Sequence, residues 1–101
     1  MLDNDDLTRL LAATSDPVRL EIIFLLDNRD RLNVGEIASH FRRLSRPAIS
    51  HHLKVLKDAG VLRSEKSGQE VYYWLDCERV VVGLRALADK IERNCLAGGT
   101  S

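Results

Sequence analysis

A run of basic, hydroxyl and imidazole side chains lies between Arg46 and Lys57, in the stretch RPAISHHLKVLK. At helical spacing, six residues of this stretch fall on one face: Arg46, Pro47, Ser50, His51, Lys54 and Lys57. The stretch contains no carboxylate, whereas a helix that merely meets solvent usually mixes Glu with Lys. Such a face suits a polyanion, whose phosphates attract Lys and Arg, and a solvated surface helix is the plain alternative.

The flanking residues predict one helix within the stretch from Leu44 to Gly60. Ser45 suits the N-cap, and Pro47 falls in the first turn, where its missing N–H leaves no hydrogen bond unmade. Gly60 suits the left-handed position just past the last turn. The face opposite the cationic one carries the apolar residues that we expect in a core: Ile49, Leu53 and Leu56.

Three further helices are predicted before this one. The first is short and begins at Asp5 or Asp6, and the second begins at Pro17 after the cap residue Asp16. The third begins after Asn33, with Glu36 completing a capping box. The link 42–44 is so short that the third and fourth helices form a helix-turn-helix pair.

After Gly60 the apolar period changes from 3.6 to 2, which predicts a β-hairpin. Its strands are Val61–Lys66 and Glu70–Leu75, joined by a turn at 67–69 that contains a glycine. Val71, Tyr73 and Leu75 share the face expected to meet the core. Tyr72 and Trp74 share the other face, where packing is favoured over stacking on single-stranded bases.

A last helix is predicted from Cys77 to Cys95 with Asp76 as its cap. Its apolar stripe recurs at heptad-like spacing and comprises Val80, Leu84, Leu87 and Ile91. A chain of 101 residues has no further layer to cover this stripe or the first helix, so we expect a homodimer that pairs through both. The fold class is therefore mainly α (α+β), a winged helix-turn-helix in the order α-α-α-α-β-β-α.

Length and composition predict one domain, residues 1–97, with a disordered tail at 98–101. The net charge is zero, yet residues 40–66 hold seven basic and two acidic residues, so the positive field is local. No apolar run is long enough to span a bilayer and the N-terminus is acidic, which predicts a cytoplasmic protein without a membrane partner. No phosphate loop or nucleophile–base spacing indicates an enzyme.

With this order of elements in place, the chain resembles the ArsR/SmtB family of small dimeric repressors. The resemblance rests on four segments: LLAATSDPVRLEIIFLL (10–26), NVGEIASHF (33–41), SRPAISHHLKVLKDAGVL (45–62) and SGQEVYYWL (67–75). It implies binding to a pseudo-palindromic operator in double-stranded DNA, usually repression, with release by a chemical signal.

The metal sites that the resemblance implies are not matched. Asn33 and Gly35 hold the positions of the cysteines in the third helix. In the last helix the corresponding positions are Cys77-x-Arg79 and Lys90-x-x-Arg93, whose cations would repel a metal ion. A site formed by His40, His51 and His52 lacks supporting carboxylates or thiolates, so we expect no metal and no cofactor. His52 is predicted to pack at the border of the core and His40 to lie on the surface.

Position along the predicted elements assigns the roles in DNA binding. The expected base-reading residues are Arg46, Ser50 and His51. The expected contacts to the DNA backbone are Arg43, Ser45, Lys54 and Lys57. On the wing, the expected contacts are Lys66, Ser67 and Gln69.

Two other functions stay open. In an antiparallel pair of last helices, Cys77 of one subunit can meet Cys95 of the other, which would allow a thiol-based metalloid or redox sensor. The competing interpretation is that both cysteines are small apolar fillers. A winged-helix module that binds a protein instead of DNA is the second alternative, and it would not require a cationic face.

Overall fold

The computed structural model describes residues 3–27 and 31–96. The helices are α1 (Asn4–Thr14), α2 (Pro17–Leu26), α3 (Val34–Ala38), α4 (Arg46–Asp58) and α5 (Cys77–Ile91), and a π-helical segment, Glu92–Leu96, continues α5. The strands are β1 (Leu32–Asn33), β2 (Leu62–Ser67) and β3 (Glu70–Leu75). None of the helices in the described part of the chain is long and apolar enough to cross a membrane. The predicted tail, 98–101, lies outside the described residues.

Short polar side chains fix where the helices begin. The predicted caps at Asp16 and Ser45 are confirmed, since each side chain accepts a hydrogen bond from a backbone N–H in the first turn. The capping box of Asn33 and Glu36 is also confirmed. The first helix begins earlier than predicted, because Asp3 forms a capping box of its own with Asp6.

The C-terminal end of α4 is closed by a Schellman motif, as its glycine predicts. The N–H of Gly60 donates to the carbonyl of Lys57, and the N–H of Val61 donates to that of Leu56, both at 2.9 Å. Gly60 has a φ of +80°, the left-handed conformation that a side chain disfavours. This motif ends α4 sharply and directs the chain into β2.

The sheet has three antiparallel strands in the order β1-β3-β2, where a two-stranded hairpin was predicted. Leu32 and Asn33 of β1 pair with Tyr73 and Tyr72 of β3. A two-residue strand carries no alternation, so its pairing is set by the tertiary fold and leaves no signal in the sequence. The first hairpin strand begins at Leu62, because the Val61 N–H is committed to the Schellman motif.

The hairpin turn has two residues, Gly68 and Gln69, where three were predicted. Ser67 belongs to β2 and pairs with Glu70. Gly68 has a φ of +65° while no other residue of the turn has a positive φ, which defines a type II′ turn.

The core lies between the helices and the inner face of the sheet. Its fully buried side chains include Leu10 of α1, Ile22 and Leu26 of α2, and Ile37 of α3. The predicted inner face of α4 is confirmed by three residues with no exposed surface: Ile49, Leu53 and Leu56. Tyr73 and Leu75 pack against this core as predicted, whereas Val71 is half-buried and outside it. One face of α4 packs against α1, α2, α3 and β2, which leaves its opposite face free for a ligand.

Candidate nucleic-acid interface

The outer face of α4 is the cationic face that the sequence predicts. All six of its residues are exposed: Arg46, Pro47, Ser50, His51, Lys54 and Lys57. The preceding link adds Arg42 and Arg43, which are also exposed. We call the six residues on α4 the outer face. The outer face is about 18 Å long, at 1.5 Å per residue.

The N-terminal end of this face is shaped by its neighbours. A Cβ built on Gly35 of α3 would lie 3.5 Å from a terminal nitrogen of Arg46, so the guanidinium lies beside the helix that precedes it in the helix-turn-helix pair. The Ser45 oxygen accepts from the Ala48 N–H at 3.2 Å. Its hydroxyl hydrogen remains a donor that suits a phosphate oxygen.

An ion pair that sequence reasoning missed lies at the C-terminal end of the face. Lys54 Nζ donates to Asp58 Oδ2 at 3.0 Å, and both side chains are more than half exposed. The i,i+4 spacing of the two residues was the available signal. Lys54 must exchange this partner for a phosphate if it is to bind the DNA backbone.

His52 is held at the edge of the core and does not belong to the outer face. Its Nδ1 lies 3.2 Å from a terminal nitrogen of Arg19, which can only donate, so the ring nitrogen accepts. Arg19 Nε also donates to the Ala13 carbonyl at 2.6 Å, which ties α1, α2 and α4 together. His52 is thus the packing residue that the sequence predicts, and His40 is exposed on the surface as predicted.

The hairpin tip presents the predicted wing residues to solvent. Lys66, Ser67 and Gln69 are all exposed. The nearby carboxylate of Glu65 pairs with Arg31, whose guanidinium lies 4.2 Å from the centre of the Trp74 ring. Arg31 therefore covers one aromatic of the outer sheet face and neutralises an acidic side chain of β2.

α5 presents a broad apolar surface. Leu84 and Ile91 of the predicted stripe are 45% and 53% exposed, and Val81 and Val82 are exposed to a similar extent. Val80 differs from the prediction of a stripe facing outwards, because it packs against this chain's own core. Leu87 is half-buried.

Both cysteines are free and exposed, at the two ends of the helical stretch 77–96. Neither fills the core of its own chain, so that part of the filler interpretation is wrong. Within residues 3–27 and 31–96, no three His, Cys, Asp or Glu side chains come together in a group that could hold a metal ion.

A helix-turn-helix whose second helix is followed by a β-hairpin defines the class of winged helix-turn-helix proteins. The family model described as the bacterial regulatory protein, arsR family, matches residues 16–64, from the cap of α2 into β2. The chain belongs to the arsR family and is a DNA-binding transcriptional regulator.

Named relatives within this class differ in what they do. The transcriptional repressor SdpR of Bacillus subtilis is 43% identical over 70 residues, which span 69% of this chain and 76% of SdpR. The transcriptional activator HlyU of Vibrio cholerae is 40% identical over 72 residues, 70% of this chain and 64% of HlyU. The crystal structure of a possible transcriptional regulator for arsenical resistance superposes with a TM-score of 0.71 at 34% identity, covering 91% of this chain and 97% of the other.

Proposed function

We propose that the protein is a homodimeric repressor that binds a pseudo-palindromic operator through the outer face of α4. The observation that carries this proposal is the outer face itself, whose six residues are all exposed and include no carboxylate. A solvated helix would gain nothing from excluding Glu and Asp, whereas a helix facing phosphates would.

The proposed DNA-contacting residues fall into base, backbone and wing contacts according to their place on α4, its preceding link and the hairpin. Arg46, Ser50 and His51 lie towards the N-terminal half of the helix and suit contacts to base edges, with Arg favouring guanine. The backbone contacts fall to Lys54 and Lys57 of the outer face and to two residues that precede α4: Arg43 and Ser45. The wing residues Lys66, Ser67 and Gln69 would contact the backbone or the minor groove beside it.

The apolar surface of α5 supports the dimer. Leu84 and Ile91 lie a heptad apart and are each about half exposed, which is costly for a lone chain in water. A two-fold axis through this surface would set two copies of α4 about one helical turn of DNA apart. Dimerisation and operator symmetry thus follow from one arrangement.

The test begins with the wild-type protein and fragments of the source organism's genome. Bound fragments are selected and sequenced, and the best one is measured by fluorescence anisotropy against a scrambled duplex at several salt concentrations. A pseudo-palindromic motif with a steep salt dependence is the expected result. Equal or no binding of both duplexes at low salt would favour a module that recognises a protein.

The releasing signal is tested on the same complex. We expect one of arsenite, cadmium, zinc, copper, peroxide or persulfide to dissociate it, or else a partner protein to do so. If a thiol reagent or soft ion releases the DNA, Cys77→Ser and Cys95→Ser show whether the two exposed thiols are responsible. Release that survives both substitutions would exclude the thiol-based sensor.

A further inference from the structure

The first turn of α5 is attached directly to the residues that leave α4. Asp76 donates its backbone N–H to the carbonyl of Val61 at 2.9 Å. The same residue caps α5, since its carboxylate accepts from the backbone N–H of Arg79 at 3.1 Å. The end of the DNA-binding helix and the start of the proposed dimer helix are therefore joined at one point.

The side chain of Arg79 fills this junction. A Cβ built on Gly60 would overlap the Arg79 Nε and would lie 2.7 Å from its Cδ, so Arg79 lies across the bare backbone of the glycine. Gly60 thus has two roles, because its φ of +80° ends α4 and its missing side chain admits the arginine. The positive charge also lies next to the C-terminal end of α4, where a cation is favourable.

Arg79 also reaches α1, the other proposed dimer helix. Its terminal nitrogen lies 3.7 Å from Asp6 Oδ1, and the two side chains are 35% and 34% exposed. Its Nε is buried and has no hydrogen-bond partner among the described residues. A buried donor without a partner lowers stability, and an apolar side chain of similar length would fill the space without that cost. The buried Nε therefore offsets part of the stability that Arg79 contributes through Asp6 and the end of α4.

We infer that Arg79 is a positioning residue for DNA binding, which sets the angle between α4 and the pair formed by α1 and α5. The inference rests on the proposed function. In a dimer built on α1 and α5, this angle determines how far apart the two copies of α4 lie, and that distance must match the spacing of the operator half-sites. Arg79 touches no DNA in this arrangement, so its effect is on spacing and not on base identity.

The experiment compares the selected operator with versions that carry one or two base pairs more or fewer between the half-sites. Wild-type protein should prefer the natural spacing. In Arg79→Met, which keeps an unbranched side chain as far as the position of Nε and removes the guanidinium, that preference should fall by about three- to tenfold, within the range found for residues that couple two sites. Arg85→Met, an exposed arginine on the same helix, is the matched control and should keep the wild-type preference.

Two accompanying measurements separate positioning from simple stability. Sedimentation and thermal unfolding should show that the Arg79→Met protein is dimeric and folded. Binding titrations should show unchanged discrimination among bases within a half-site. If Arg79→Met does not fold, Asp6→Asn serves instead, because it removes the partner charge from the surface and should weaken the spacing preference in the same direction.

The outcomes distinguish this inference from the proposed function. A variant that binds every spacing more weakly by the same factor would show that Arg79 only stabilises the fold, which overturns the inference alone. An unchanged preference in Arg79→Met or in its substitute would overturn it as well. Failure of the wild-type protein to bind any genomic fragment in the selection would overturn the proposed function and, with it, the inference.

Discussion

Arg46 is the residue of the outer face best suited to read a base. It lies at the first position of α4, with its guanidinium beside Gly35, and it can donate two parallel hydrogen bonds to guanine. Arg46→Ala should lose about 1–3 kcal/mol of discrimination between the operator and a version mutated at the contacted base pair. Anisotropy titrations with the two duplexes measure this difference.

The control for Arg46 is Arg85→Ala, which removes the same charge from an exposed position on α5. It should leave the discrimination intact. If Arg46→Ala weakened binding to both duplexes by the same factor, Arg46 would be a phosphate contact and the base-reading role would be wrong.

In the proposed complex, Asp58 competes with the DNA phosphates for the ammonium group of Lys54. Because Asp58 holds Lys54 at 3.0 Å, replacing it with Asn frees the lysine and removes a negative charge from the phosphate side. Asp58→Asn should raise affinity for every duplex by about two- to fivefold at low salt, the range of an exposed ion pair. Affinities measured across salt concentrations should show the gain shrinking as salt rises.

Asp89→Asn makes the same change of charge on α5 and should have little effect on affinity. Lys54→Ala should act in the opposite direction, weakening all DNA about equally and lowering the salt slope by about one. A gain confined to the operator would contradict a backbone role for Lys54.

The part of the candidate site that could be predicted from the sequence is the division of α4 into an outward and a buried face, which helical periodicity determines. The six outward residues and the buried Ile49, Leu53 and Leu56 follow from one rule of spacing, because local structure dictates them. Contacts between distant segments leave no such trace. The bond from Arg19 to His52 and the position of Arg46 beside Gly35 depend on how the helices pack.

The cap at the start of α2 is expected to weaken in acid. The Asp16 carboxylate accepts from the backbone N–H groups of Arg19 and Val18, at 3.1 and 2.9 Å. The hydrogen bond from the backbone N–H of Arg19 is the largest cause that lowers the pKa of Asp16. Burial raises this pKa by less, and the hydrogen bond from the Val18 N–H and the positive charge of Arg19 lower it further. The cap is therefore stronger when Asp16 is ionised.

A lowered pKa in the folded state determines the sign of the pH dependence. The stabilisation by ionised Asp16 is complete above the pKa of the unfolded chain and is lost as pH falls through the folded-state pKa. Asn at position 16 can still cap the helix but does not titrate. Between neutral pH and pH of about 3, the melting temperature of the wild-type protein should therefore fall by more than that of Asp16→Asn. Thermal unfolding by circular dichroism at several pH values measures both curves.

Asp89→Asn again provides the control, because Asp89 is exposed and lies in the interior of α5, where it caps no helix. Its melting temperature should follow the wild-type curve. If wild type and Asp16→Asn also changed in parallel with pH, the ionised form of Asp16 would give no extra stability.

Among the elements, those with their own start and stop residues were predictable. α2, α3 and α4 begin at the residues that their caps indicate, since capping is a local interaction. β1 was not predictable, because its two residues owe their extended form to Tyr72 and Tyr73, about forty positions away in the chain. Asn33 belongs to this strand and also caps α3, so only the helix signal is visible in the sequence.

At the scale of the whole molecule, a neutral chain carries a strongly polarised field. Residues 40–66 hold seven basic and two acidic residues, and the structure gathers most of the basic ones on α4, its preceding link and the wing. Glu65 and Asp58, the two acids of this segment, are both paired with cations. Such a patch steers a polyanion towards one side of the protein even though the net charge is zero.

The apolar surface of α5 gives the prediction that tests the dimer. Leu84 is 45% exposed in the single chain, so a charge placed there should not disturb the core but would be buried in a dimer. Leu84→Glu should weaken the dimer by about 2 kcal/mol or more, as expected for a buried interface position. Sedimentation velocity over a concentration series detects the loss.

Phe24→Glu is the matched control for Leu84→Glu, because Phe24 is 63% exposed but lies on α2, which is not one of the proposed dimer helices. It should stay dimeric and bind the operator normally. Monomeric Leu84→Glu engages one half-site at a time, so its apparent affinity for the operator should fall by about a hundredfold or more, while its affinity for an isolated half-site is unchanged. If Phe24→Glu separated the subunits and Leu84→Glu did not, the dimer would be built on α2, and the geometry that links α5 to the operator spacing would have to be abandoned.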